Sequence, residues 1–136
     1  MSTRPSPATR TAAALPTISD AEWVVMREFW RLRNATTAEV VAGLEGRMHW
    51  KPRTVQSLIN RLVGKGALTF TKEGREHRYR PAVAEADCVL DASRTFVDRL
   101  FGGKLAPLLA CFVESGQVSA QEAAQLRKIL EEGKTK

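Results

Sequence analysis

Between Pro52 and Arg80 the hydrophobic period changes from that of a helix to that of a strand, which limits the chain to few folds. Val55, Leu58, Ile59, Leu62 and Val63 fall at i, +3, +4, +7 and +8, one buried stripe of an amphipathic helix. Pro52 suits the first helical position, where a missing N–H costs nothing, and Gly66 can take the left-handed turn that ends the helix near Lys65. Ala67–Thr71 and His77–Arg80 then alternate apolar and polar residues on either side of Lys72-Glu73-Gly74-Arg75-Glu76. This pattern predicts a β-hairpin with a charged, Gly-containing loop, ended by Pro81.

Two shorter helices are expected upstream. Ser19-Asp20-Ala21-Glu22 and Thr36-Thr37-Ala38-Glu39 both read S/T-x-x-E. In this capping box the hydroxyl accepts from the N3 amide and the Glu returns to the N-cap amide. Ile18 can staple onto Trp23 ahead of a helix from about Asp20 to Leu32, with Trp23, Met26, Phe29 and Trp30 on its apolar face. The second helix runs from about Thr37 to Leu44, with Val40, Val41 and Leu44 inward and Gly46 ending it. Helix, helix, helix, hairpin is the order of a winged helix-turn-helix.

Downstream, residues 84–101 return to helical spacing: Ala86, Leu90, Ser93, Val97 and Leu100 form a seam widened by Val89, Phe96 and Phe101. Gly102-Gly103 is a break. Leu105, Leu108, Leu109, Phe112 and Val113 mark a further helix stopped at Ser115-Gly116. A third capping box at Ser119–Glu122 opens a last helix reaching about Glu132, with Leu126, Ile129 and Leu130 apolar. Three short helices carrying this much apolar surface need a symmetric partner to bury it. The expected fold is therefore mainly α with a small β-hairpin. Residues 1–17 read as a disordered tail, 18–81 as a winged-helix DNA-binding domain and 82–136 as a three-helix dimerisation domain.

Charge separates the two halves. Residues 1–81 hold fourteen Lys/Arg against seven Asp/Glu, and residues 82–136 hold seven against eight. From Arg47 to Arg80 nine basic residues face only Glu73 and Glu76. One half is thus suited to a polyanion and the other to something else. No apolar run approaches the roughly 18 residues of a membrane helix, so neither a span nor direct membrane binding is expected. Met1–Pro16 carries Arg4 and Arg10 without an acid, but Ala12–Leu15 is too short a core for a secretory signal. Cys88 and Cys111 lie far apart and outside any CxxC pair, which argues against a disulfide framework or structural zinc and fits a reducing cytoplasm. Both are expected as small buried hydrophobes. His49 and His77 have no nearby Cys or paired carboxylate, and no nucleophile–base spacing or phosphate loop appears. The chain is therefore not expected to be an enzyme or to hold a cofactor or metal.

The outward residues of the third helix suit duplex DNA. A major groove about 12 Å wide admits one helix, which reads base edges with side chains near its N-terminus. Arg53 can reach guanine O6/N7, and Thr54 and Ser57 can donate, accept or touch a thymine methyl. Gln56 and Asn60 are adenine readers by chemistry, while Arg61 and Lys65, further along, suit phosphate. Lys51, ahead of Pro52, offers no capping oxygen, so the first amides are left for a phosphate. In the wing, Lys72, Arg75, Arg78 and Arg80 lie over the backbone and His77 can at most touch phosphate. A solvated basic face, or a winged helix used only for protein contact, would share this composition. A steep salt dependence on duplex DNA distinguishes them.

These residues also carry a family resemblance. Ile18–Met26, Thr54–Leu68, Lys72-Glu73-Gly74-Arg75 with Tyr79, and Thr95–Gly103 resemble the penicillinase-repressor family, the winged-helix repressors of β-lactamase and methicillin-resistance genes, over about residues 18–132. The resemblance implies a homodimer on a dyad operator in promoter DNA. It also implies release by cleavage of the dimerisation domain under a membrane metalloprotease sensor stimulated by β-lactam. In the family the cut falls at an Asn-Phe bond in the helix after the Gly-Gly; the matching pair here is Cys111-Phe112, which keeps Phe and replaces Asn. A copper-responsive branch carries a C-terminal cysteine cluster, and Glu131–Lys136 has none. The alternative is a winged-helix regulator or protein-interaction module with another trigger and no proteolytic switch.

Overall fold

The structure, a computed structural model, describes residues 15–133, so most of the expected tail at 1–17 lies outside the described residues. Its elements run α1 (Asp20–Leu32), α2 (Thr37–Leu44), α3 (Pro52–Lys65), β1 (Leu68–Glu73), β2 (Glu76–Pro81), α4 (Glu85–Phe101), α5 (Leu105–Glu114) and α6 (Ala120–Gly133). The described residues are thus mainly helical with one two-stranded antiparallel hairpin. The chain divides into two compact units, one ending at Asp91 and one beginning at Ala92.

Local chemistry explains the helix ends. The Ser19 hydroxyl accepts from the Glu22 amide at 3.2 Å and Glu22 Oε1 accepts from the Ser19 amide at 2.9 Å. Thr36 and Glu39 repeat the device at 3.2 and 3.0 Å. At α6 the Ser119 hydroxyl accepts from the Glu122 amide at 3.0 Å. Gly66, at φ +86°, closes α3 in the left-handed region, as glycine allows without a Cβ clash.

The first unit has one core. Val25, Met26 and Phe29 of α1 meet Val40 and Leu44 of α2, the α3 stripe of Val55, Leu58, Ile59 and Leu62, Ala67 just ahead of the hairpin, and Leu68 and Tyr79 within it. Trp50 packs against this core, half-buried. Ala35 exchanges both backbone hydrogen bonds with Tyr79, at 3.0 and 2.8 Å, which fastens the hairpin to the α1–α2 connection. Trp30 Nε1 donates to the Val83 carbonyl at 3.0 Å, and Cys88 is buried, its thiol pushed up to about 11 by burial.

Two expectations are corrected. The loop expected over 72–76 is only the two-residue turn Gly74-Arg75, because Lys72 pairs with His77 and Glu73 with Glu76. Gly74, at φ +63°, takes the left-handed conformation that such a tight turn needs. Cys111 is exposed rather than buried.

In the second unit Val97 is the one buried side chain among the described residues. Leu100, Leu105, Val113, Ile129 and Leu130 are more than half exposed. No helix of the described residues is long and apolar enough to cross a membrane.

Candidate nucleic-acid interface

The buried stripe of α3 dictates what its other side shows. With Val55, Leu58, Ile59 and Leu62 in the core, Arg53, Thr54, Ser57, Asn60, Arg61 and Lys65 face solvent, and no carboxylate stands among them. Lys51 is the N-cap at φ −76°, ψ 155°, and no side chain caps the helix. Its carbonyl accepts from the Thr54 and Val55 amides at 2.9 and 3.2 Å. The first turn therefore presents an uncapped, positively polarised end beside Lys51 and Arg53.

Gln56 differs from its neighbours. It is half-buried, and its amide joins α2 to the wing. Thr37 Oγ1 donates to Gln56 Oε1 at 2.7 Å, and Gln56 Nε2 donates to Asn60 Oδ1 at 2.9 Å and to the Tyr79 hydroxyl at 3.3 Å. Thr37, Gln56, Asn60, Arg75, His77 and Tyr79 help line an open cleft of about 500 Å³ between α2, α3 and the hairpin.

Arg61 and Lys65 have a second occupation. Arg61 Nε lies 3.2 Å from Glu22 Oε2, and Lys65 Nζ lies 2.6 Å from Glu22 Oε1 and 2.7 Å from the Thr17 carbonyl. The Glu22 side chain is 1% exposed. Burial pushes its carboxyl upward, but Lys65, the Ser19 amide and Arg61 outweigh that and hold it at about 2. A second buried acid, Glu28, is paired with Arg31 and, at 2.8 Å, with Arg47 Nη2. Arg31 first, then Arg47 against the cost of burial, keeps its carboxyl below the usual range. Gly43 is small for this reason: a Cβ there would run into the Glu28 carboxylate.

The wing sorts its cations in the same way. Lys72 and Arg75 are exposed at its tip. Arg78 instead bridges: its Nη1 donates to Asn34 Oδ1 at 2.9 Å and to Glu39 Oε1 at 3.2 Å, and its Nε donates to Glu73 Oε1 at 3.2 Å. Glu73 first, then Glu39, raises the guanidinium pKa, as expected of a cation paired with two carboxylates. His77 stacks on Phe70 with ring centroids 4.5 Å apart.

Lys51, Arg53, Thr54, Ser57 and Asn60 thus share one accessible face, with Lys72 and Arg75 at the hairpin tip, whereas Gln56, Arg61, Lys65 and Arg78 are engaged in contacts within the protein. Cys111 and Phe112 stand elsewhere, exposed on α5 in the second unit. Sequence reasoning missed Glu22 and Glu28 as buried anchors. The signal was an acid inside an apolar stripe, since Glu22, Val25, Met26 and Phe29 follow i, +3, +4, +7. Among the described residues no group of His, Cys, Asp and Glu is placed to hold a metal ion.

Residues 18–132 match the family described as penicillinase repressor. The penicillinase repressor of Bacillus licheniformis is 38% identical over 122 residues, which cover 90% of this chain and 95% of that protein. The methicillin resistance regulatory protein MecI of Staphylococcus aureus strain N315 is 32% identical over 113 residues, covering 83% and 92%. A solution structure of the DNA-binding domain of the repressor BlaI is 43% identical, with a TM-score of 0.49, covering 53% of this chain and 88% of that one. The chain belongs to the penicillinase repressor family, a family of repressors and not of enzymes.

Proposed function

We propose that this chain is a cytoplasmic, homodimeric transcriptional repressor whose α3 enters the major groove of a dyad operator in promoter DNA. The observation that carries the reading is the outer face of α3, where Arg53, Thr54, Ser57 and Asn60 stand exposed without a single carboxylate. Membership of a repressor family supports it. Arg53, Thr54 and Ser57 lie in the first two turns, where side chains of a groove-bound helix meet base edges. Lys51 and the uncapped first turn suit one backbone phosphate, and Lys72 and Arg75 suit another. Arg61, with 61% of its side chain exposed, can still reach phosphate while it holds Glu22.

The second copy is argued from the second unit. Among the described residues of this unit Val97 alone is buried, too little for a core, and the exposed Leu100, Leu105, Val113, Ile129 and Leu130 supply what a symmetric interface buries. Two joined winged helices read two half-sites with the affinity gain of a tethered pair.

Induction is proposed to be proteolytic, near Cys111-Phe112, under a membrane metalloprotease sensor responding to β-lactam. Both residues are exposed on a ten-residue helix flanked by Gly102-Gly103 and Gly116, all at positive φ. A short helix between such breaks opens locally at low cost, which a protease needs. Cutting there separates α6 from the rest and returns bivalent binding to two weak contacts.

Genome-wide footprinting of the full chain tests the function. The reading requires paired protected half-sites in promoters, spaced by about 10 bp or a multiple. Isolated single half-sites, or protection without sequence preference, would contradict it.

A further inference from the structure

Both polar atoms of the Gln56 amide already have partners within the protein. Its oxygen accepts from Thr37 Oγ1 at 2.7 Å, and its two N–H groups are spent on Asn60 Oδ1 at 2.9 Å and the Tyr79 hydroxyl at 3.3 Å. The anchors belong to the protein interior. Tyr79 is buried, sits edge-on to Phe29 with centroids 6.1 Å apart, and is tied through its backbone to Ala35. Thr37 is half-buried in the first turn of α2. The Gln56 amide is therefore held between α2 and β2, with Oε1 toward Thr37 and Nε2 toward Tyr79 and Asn60.

The consequence falls on Asn60, one turn further along α3 and exposed. Gln56 draws Asn60 Oδ1 back toward the cleft, which leaves Nδ2 and its two hydrogens to face outward. An asparagine that reads adenine needs both ends, accepting from N6 and donating to N7. A donor-only amide instead matches guanine, whose O6 and N7 both accept. We infer that Gln56 is a positioning residue, held by Thr37 and Tyr79, that turns Asn60 into a donor-only reader selecting guanine over adenine in each half-site. The inference rests on the reading of α3 as the groove helix and specifies how that helix discriminates.

The test uses the full chain and duplexes carrying the footprinted operator with each half-site position varied in turn. Asn60→Ala first identifies the position that Asn60 reads, where the unaltered chain should favour guanine over adenine by roughly tenfold. Gln56→Glu replaces the donating nitrogen with an acceptor, so Asn60 must turn Nδ2 inward and Oδ1 outward. The preference at that one position should then move to a base presenting an amine, adenine or cytosine, whatever the overall loss of affinity. Thr37→Val keeps the side-chain shape but frees Gln56 Oε1, and should narrow the guanine preference there alone. A uniform affinity loss from Gln56→Glu and Thr37→Val with the guanine preference intact would overturn the inference. So would an unchanged preference pattern in Asn60→Ala while Arg53→Ala still relaxes one position. If neither Asn60→Ala nor Arg53→Ala alters any base preference, the groove-helix reading itself fails.

Discussion

Replacing Glu22 by Gln should destabilise the first unit by about 2 kcal/mol at neutral pH, and the loss should vanish in acid. The carboxyl is held at about 2 against an ordinary 4.5 by Lys65, the Ser19 amide and Arg61 acting against burial. At 1.36 kcal/mol per unit that shift corresponds to about 3 kcal/mol of stability above pH 4.5. The side chains of Arg61 and Lys65 are 61% and 36% exposed, so solvent screens their attraction and the expected figure falls to about 2 kcal/mol. Because the folded value lies below the unfolded one, the contribution is present above pH 4.5 and is lost as pH falls through about 2. Gln keeps the shape and can still accept from the Ser19 amide, so the difference isolates the charge. Urea unfolding followed by tryptophan fluorescence measures it, since Trp23, Trp30 and Trp50 all lie in the first unit. The gap between the two proteins at pH 7 should shrink by more than half at pH 3. A gap equal at both pH values, or none at pH 7, would show that the ion cluster does not join α1 to α3 in this way.

Three further outcomes follow from particular contacts. Gly43→Ala should destabilise despite the better helix propensity of Ala, because about 1–3 kcal/mol of overpacking against the Glu28 carboxylate outweighs about 1 kcal/mol of propensity; a raised melting temperature would refute the contact. Truncation after Asp91 retains the Trp30–Val83 hydrogen bond and buried Cys88, so sedimentation should find a folded monomer, whereas a dimeric fragment would put the interface in the wrong half. Blotting the repressor in its native host before and after β-lactam exposure should reveal a fragment cut near Phe112, and derepression with only full-length protein would exclude cleavage as the switch.

Much of this architecture was legible because its signals are local. Capping boxes, Pro52 and Gly66 are short-range devices, and the helix limits of α1, α2 and α3 agree with them. The hairpin turn is shorter than the pattern predicts because charge at Lys72, Glu73 and Glu76 resembles a loop. Those side chains lie on an exposed ribbon, where polar residues cost a strand little. What the sequence hid is long-range pairing. Glu22 meets Lys65 across 43 residues and Arg78 meets Glu39 across 39, so no spacing rule shows that these cations have partners. The same holds for Gln56, whose chemistry suits adenine but whose amide is engaged by Thr37 and Tyr79. For Cys111 residue type alone favours burial, whereas its helix packs against too little to cover it.

The claim that α3 specifies and the wing anchors is tested most directly by the salt dependence of duplex binding, compared for the unaltered chain, Arg53→Ala and Arg75→Ala. Both side chains are exposed, so neither substitution opens the core. On the operator Arg53→Ala should cost about 1–3 kcal/mol and relax the preference at one position per half-site, with a far smaller effect on random duplex. Arg75→Ala should weaken operator and random duplex alike and lower the magnitude of the salt slope by about 1. Equal losses on both duplexes for Arg53→Ala, together with an unchanged salt slope for Arg75→Ala, would contradict the account.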